Sequence, residues 1–361
     1  MARTDEATRV GTDEPFWQKI PKDGKRAAPK ASRGRTYPWV LLILAVQAGL
    51  TLRFRDGATP AERPYLESGR ALVAELPGGV AVGFGRLYAE QGLWAARGLS
   101  LACLLLAALC VYGMGRRLAG PATGAWAAAA FATAGAVAVL GGLATGDAPA
   151  LFLLALTGLL VVWSRTATWL VPFAAITGAA MVVTDHLSVV YVPSLCLLAM
   201  LVADVPWLWA LVRGLGLLAA TGGVAAVTVE LLDGWEGVGD TVESLRPIVI
   251  DPMIDPAVRW LGPVLIAAVL GAFLYTLPAG RRMAVAPPAW PIRFPLGLLL
   301  AGTVLLGPLT GAAHPAADQG LALAAVPAGL FLAWLARLPG VGTVLACLGL
   351  GAMAAAGYLV V

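Results

Sequence analysis

Eleven apolar runs, each near the length of a bilayer-spanning helix, follow one another along most of this chain. They cover residues 38 to 54, 93 to 115, 120 to 142, 148 to 163, 168 to 184, 187 to 203, 207 to 231, 258 to 277, 294 to 310, 320 to 336 and 340 to 361. A bilayer core needs about 20 apolar residues per helix, with shorter and longer runs tolerated. Residues of hydrophobic type make up 59% of the chain and charged ones 13%, whereas a soluble domain is about 45–50% apolar. The expected fold is therefore an all-α polytopic membrane protein of about 11 transmembrane helices. No period of 20 to 50 residues recurs, which removes solenoids and propellers. Gly and Ala spacings such as GAWAAAAFATAG are expected to let helices pack closely.

The formal charge of +4 is concentrated in one place. Residues 1–37 hold nine Lys or Arg against five Asp or Glu, and the rest of the chain balances sixteen Arg with sixteen acids. The first 37 residues read as a disordered basic tail, and 38–361 as the transmembrane domain. No basic face suited to nucleic acid is left. With the N-terminus in the cytoplasm, the inner side receives Arg116, Arg117, Arg165, Arg213, Arg281, Arg282, Arg293 and Arg337 against the single acid Asp204. That is a positive-inside pattern, and it predicts a multi-pass cell-membrane protein with its C-terminus extracytoplasmic. Nearly all remaining acids, including Asp56, Glu62, Asp147 and Asp185, then fall on the outer side. Two outer loops are long, 55–92 and 232–257. In the first, Tyr65, Leu66, Leu72, Val73 and Leu76 recur at helical spacing and predict a short interfacial helix.

Several outer residues are candidates for chemistry, each with an ordinary reading beside it. Asp147 precedes Ala and Pro in TGDAPALF, where its carboxylate suits a helix cap; a charge at the membrane surface is also a functional candidate. Arg97 falls about one turn inside the second span and needs a partner there: an ion pair with Asp147 or Glu90, or a phosphate held by its planar fork. Glu62 fits a capping box opened by Thr59, although Pro64 sits awkwardly in its second turn; the alternative is a base for an acceptor hydroxyl. Asp185 and His186 occupy the short gap between the fifth and sixth spans, where a tight polar turn is the plain reading. The four Cys lie within apolar runs without CxxC spacing, and the two His are far apart. No dedicated His/Cys metal site is expected.

Read together and in order, several segments resemble the GT-C superfamily of membrane glycosyltransferases, in particular bacterial relatives of protein O-mannosyltransferases and aminoarabinose transferases. TPAERPYLESGR matches the family's first outer loop at Glu62, Tyr65 and Gly69. QGLWAARGLSL and GRRLAGP match the stretches that follow, and VLGGLATGDAPALFLLAL puts Asp147 on a family aspartate. The likeness covers about residues 40 to 165. It implies a GT-C-like bundle that moves a sugar from a polyprenyl-phosphate carrier to a hydroxyl on the extracytoplasmic face, within a setting of membrane lipids. It also implies phosphate stabilisation by Arg97 and Arg70 and acceptor activation or site organisation by Glu62 and Asp147; Tyr65, Asp185 and His186 are further candidates for acceptor or sugar contacts. The family's first-loop Asp aligns with Ala61, which leaves Glu62 or Asp56 in its place. No organic cofactor is implied, and a divalent metal is compatible with the chemistry. The alternatives are a catalytically inactive GT-C-like protein that binds lipid or a partner, and a transporter; the near absence of charge at the membrane midplane disfavours the latter.

Overall fold

The computed structural model describes residues 37–52, 58–60, 62, 63, 66, 80–202, 206–232, 254–277 and 320–360. Regular structure among them is helical: α1 (Tyr37–Thr51), α2 (Val80–Gln91), α3 (Leu93–Ala119), α4 (Pro121–Ala132), α5 (Gly135–Gly141), α6 (Asp147–Trp163), α7 (Val171–Thr184), α8 (Val192–Val202), α9 (Trp207–Leu232), α10 (Ile254–Thr276), α11 (Leu321–Leu335) and α12 (Gly342–Val360). Short 3-10 segments at Thr168–Leu170 and His186–Tyr191 lead into α7 and α8. The apolar run at 294–310 and the basic tail lie outside the described residues; the other ten runs coincide with helices. Helices are what apolar runs must form in lipid, because no water is present to satisfy exposed backbone groups. Leu93–Ala119 and Leu208–Thr228 are each long and apolar enough to cross a membrane alone, and α4 with α5 adds a third span if the bent pair is taken as one. This is an integral membrane protein.

Packing is organised around α3, which lies against α4, α6 and α11; α6 packs in turn on α7, and α9 covers α7 and α8. From Leu321 to Leu330 every residue of α11 is buried, as befits a helix that is apolar all round. By contrast, α9 leaves Leu208, Trp209, Val212 and Leu215 exposed, a surface for lipid. The small residues of GAWAAAAFATAG do bring backbones together. A Cβ on Gly124 would stand 2.6 Å from the Tyr112 carbonyl oxygen, and one on Gly115 would stand 2.9 Å from Gly124 Cα. Gly329 of α11 presses in the same way on Ala127 of α4. Gly124→Leu should therefore cost about 1–3 kcal/mol or more through overpacking, because the obstacle is backbone. Gly98→Leu, which meets nothing within 4 Å, should leave the thermal midpoint in detergent unchanged; equal losses in the two variants would refute the close α3–α4 contact.

Two features differ from the sequence expectation, and both bear on the end of the bundle that carries Glu62. The third span, read as continuous over 120–142, is broken: α4 and α5 meet at 66°. At the break Thr133 Oγ1 donates to the Ala129 carbonyl at 2.8 Å, a local bond that competes with helix continuation. The bend turns 142–146 into a short return loop leading to α6. In the first outer loop, the interfacial helix expected over Tyr65–Leu76 lies almost wholly outside the described residues, while an unforeseen helix, α2, occupies Val80–Gln91. Gly92, with φ of 85°, makes the corner between α2 and α3 in the left-handed region that glycine adopts without steric cost.

Candidate functional site

Thr59, Glu62 and Leu66 make a single helical turn: Glu62 N–H and Arg63 N–H both donate to the Thr59 carbonyl, and Leu66 N–H to that of Glu62. Glu62 closes the return half of the expected capping box, its Oε2 accepting from Thr59 N–H at 2.7 Å and from Thr59 Oγ1 at 3.0 Å. The remaining acceptor capacity goes elsewhere. Arg97, on the second turn of α3, donates from Nε to Oε1 and from Nη2 to Oε2, both at 2.8 Å. Ala144 N–H in the return loop donates to Oε1 at 2.9 Å. One carboxylate thus fastens the first outer loop, α3 and the α5–α6 loop to one another. Glu62 is 0% and Arg97 2% exposed, so the pair is paid for by a fork-to-carboxylate geometry that satisfies both charges.

This arrangement settles Arg97's partner as Glu62, in place of the expected Asp147 or Glu90; Glu90 instead pairs with Arg86 on α2 at 3.7 Å. It also bears on the roles expected of the two residues. A carboxylate that accepts five hydrogen bonds, with no exposed surface, is arranged to hold a loop and has no lone pair turned toward an acceptor. Arg97 likewise spends Nε and Nη2 on Glu62 rather than on a phosphate.

Burial pushes the Glu62 carboxyl upward, but the hydrogen bonds from Arg97, Thr59 and Ala144 outweigh it and hold its pKa at about 2. The folded value is depressed, so the stabilisation is complete above the unfolded value of 4.5 and is lost as pH falls from there toward 2. Over that window the wild type should lose about 3 kcal/mol through this group. Thermal unfolding in detergent between pH 6 and 2 checks it: Glu62→Gln should flatten the acid limb, and an unchanged limb would refute the assignment.

Asp147 is the first residue of α6, half-buried, directly after the loop that Ala144 ties to Glu62. Gly146 takes the N-cap position, which puts Asp147 one residue inside the helix with its carboxylate on its own backbone N–H. Its carboxylate feels the charge of Asp185, which closes α7 as its C-cap. Asp185 is held in the polar turn by Ser188, whose N–H donates to the Asp185 carbonyl at 3.0 Å and whose Oγ donates to Oδ2 at 3.5 Å. Thr145 Oγ1 is buried and interacts with the Asp147 carboxylate. His186 begins the 3-10 segment after Asp185. Asp56, Tyr65 and Arg70 lie outside the described residues.

This end of the bundle therefore carries the Glu62–Arg97 pair and, one loop away, Asp147, whose carboxylate feels the charge of Asp185. A carboxylate so placed suits taking a proton from a hydroxyl. A divalent cation of the magnesium or calcium type takes six or more oxygen ligands; these two carboxylates give part of such a set, and among the described residues no group of three His, Cys, Asp or Glu side chains gathers. The pairing of Asp147 with Asp185 was not anticipated from sequence, and the one available signal was that both fall on the same side of the membrane.

No protein-family model and no curated protein matches the sequence. Solved structures do. ArnT from Cupriavidus metallidurans bound to undecaprenyl phosphate is similar over 89% of this chain and 64% of its own, with a TM-score of 0.61 and 18% identity. The archaeal oligosaccharyltransferase AglB from Archaeoglobus fulgidus, in complex with an inhibitory peptide and a dolichol-phosphate, is similar over 91% of this chain and 55% of its own, at 0.59 and 12%. An Archaeoglobus fulgidus oligosaccharyltransferase tethered to an acceptor peptide is similar over 90% and 54%, at 0.56 and 14%. This chain thus spans just under two thirds of the first and little more than half of the others, and across that length it shares their helical fold.

Proposed function

We propose that this protein is a membrane glycosyltransferase that moves a sugar from a polyprenyl-phosphate carrier to a hydroxyl acceptor on the extracytoplasmic face. The observation that carries the reading is the outer site itself, where the Glu62–Arg97 pair fixes the loop leading into Asp147 and Asp185 stands within electrostatic reach. The likeness to a transferase bound to undecaprenyl phosphate supports the choice of carrier.

In this reading Asp147 is the base. It takes the proton of the acceptor hydroxyl as the oxygen attacks the anomeric carbon; the bond from that carbon to the phosphate oxygen breaks, and the lipid phosphate leaves with the electron pair. Asp185 positions Asp147. Glu62 and Arg97 are positioning residues that hold the loop; cationic stabilisation of the leaving phosphate is assigned to Arg70, a reserve catalytic carboxylate to Asp56, and acceptor or sugar contacts to Tyr65 and His186. Incubating the purified protein with a panel of polyprenyl-phosphate sugars should give transfer or slow hydrolysis. No release of lipid phosphate from any donor, with the fold intact, would leave the non-catalytic alternative. Orientation has its own test: a reporter fused after residue 85 should score as external, and a cytoplasmic score would reverse the proposed sidedness.

A further inference from the structure

A cavity of about 900 Å³ opens between α3 and α6 at the end of the bundle remote from Glu62 and Arg97. Arg97 and Arg116 are separated along α3 by about 29 Å of helix rise, so the cavity is no part of the outer site. Its walls are of two kinds. Leu106, Leu109, Phe152 and Leu156 line one end, and Arg116 and Arg117 stand at the other. Gly113 sets the floor: a Cβ there would come 2.8 Å from Leu159 Cδ1, so the two helices touch beneath an open furrow.

We propose that this furrow binds one anionic glycerophospholipid, with its phosphate at Arg116 and Arg117 and its acyl chain laid along α3 and α6 toward Leu106 and Phe152. Three observations fix the occupant. From Arg117 back to Leu106 the furrow runs about 16 Å along the helix, close to the ~15 Å depth of one leaflet's hydrocarbon. Trp163, 45% exposed at the lip, stands where indole marks headgroup depth, level with the arginines. Arg117 Nη2 donates to Thr166 Oγ1 at 2.8 Å, which holds that guanidinium at the lip instead of letting it swing into solvent. Basic pockets between helices on the inner side are a setting in which anionic headgroups are recognised. By the positive-inside pattern the lipid belongs to the cytoplasmic leaflet, so it is distinct from the carrier proposed for the outer site. The plain reading of the two arginines, as topology signals placed at a helix C-terminus, predicts no lipid selectivity.

The full chain, delipidated in detergent and titrated with phosphatidylglycerol or phosphatidylcholine, tests this by native mass spectrometry. One phosphatidylglycerol should be retained in preference to phosphatidylcholine. Arg116→Gln with Arg117→Gln should weaken that retention roughly thirtyfold, and Leu156→Trp should abolish it with the charges intact. Should the variants fail to fold, the wild type still decides: acyl-brominated phosphatidylglycerol should quench the tryptophan emission more than the brominated phosphatidylcholine does. Equal retention of the two lipids, equal quenching, or full retention by the double variant would overturn the proposal. So would displacement by millimolar inorganic phosphate, which would make this a free-phosphate site, or tighter binding of polyprenyl phosphate, which would give the furrow to the carrier.

Discussion

Asp147→Asn should lower sugar transfer by about 100- to 10,000-fold, the range that a positioned general base contributes, while binding of the lipid-linked donor is retained. The substitution keeps the size of the side chain at the mouth of α6 and removes the negative charge that would receive the acceptor proton. Asp185→Asn, acting through Asp147, should give a smaller loss together with a displaced pH–rate profile. The measurement is the single-turnover rate in proteoliposomes at saturating donor, with monodispersity and thermal midpoint as controls for folding. Near-wild-type transfer by Asp147→Asn would move the base to another carboxylate, Asp56 being next in order.

The second large effect concerns the buried pair. Arg97→Met leaves the Glu62 carboxylate among apolar neighbours with its principal partner gone, and removing one member of such a pair costs about 3–5 kcal/mol. The double variant Glu62→Met, Arg97→Met removes both charges and should recover much of that stability, since an apolar replacement of a buried pair is often neutral. Loop placement should not recover. In the double variant Ala144 N–H and Thr59 N–H both lose their acceptor, so hydrogen exchange should rise around residues 59–66 and 142–147 even where stability returns. Transfer should fall in both, while the pH profile of the residual activity stays as Asp147 sets it. A double variant that is stable, exchanges like wild type and transfers normally would show that the pair does not position the site.

Much of the fold was legible in the residues because apolar length is a local property. A run such as LACLLLAALCVYG (101–113) has no state in lipid but a helix, and ten of the expected runs coincide with helices among the described residues. The break at Thr133–Ala134 was not legible: apolar composition continues through it, and only packing shows the helix bending by 66°. Helix α2 escaped notice for the opposite reason, because VAVGFGRLYAEQ has Gly and charge enough to read as loop. For the site, sequence put Glu62, Arg97, Asp147 and Asp185 at one end of the bundle, while Arg97 pairs with Glu62 rather than with the expected Asp147 or Glu90. Arg97 was matched with acids near it in chain or in membrane depth, whereas its partner stands 35 positions earlier in a loop of unpredictable path.

What the sequence determined alone was a many-helix membrane protein and the position of each charge along its helix, because hydrophobic length and charge placement act residue by residue. What only the tertiary structure decided was which charges meet. A buried ion pair needs a fork and a carboxylate aligned to tenths of an ångström, and that alignment comes from helices and loops packing across long stretches of chain. The same holds for Asp147 and Asp185, which are separated by 38 positions and two helix ends and are brought within reach of one another by the packing of α6 on α7.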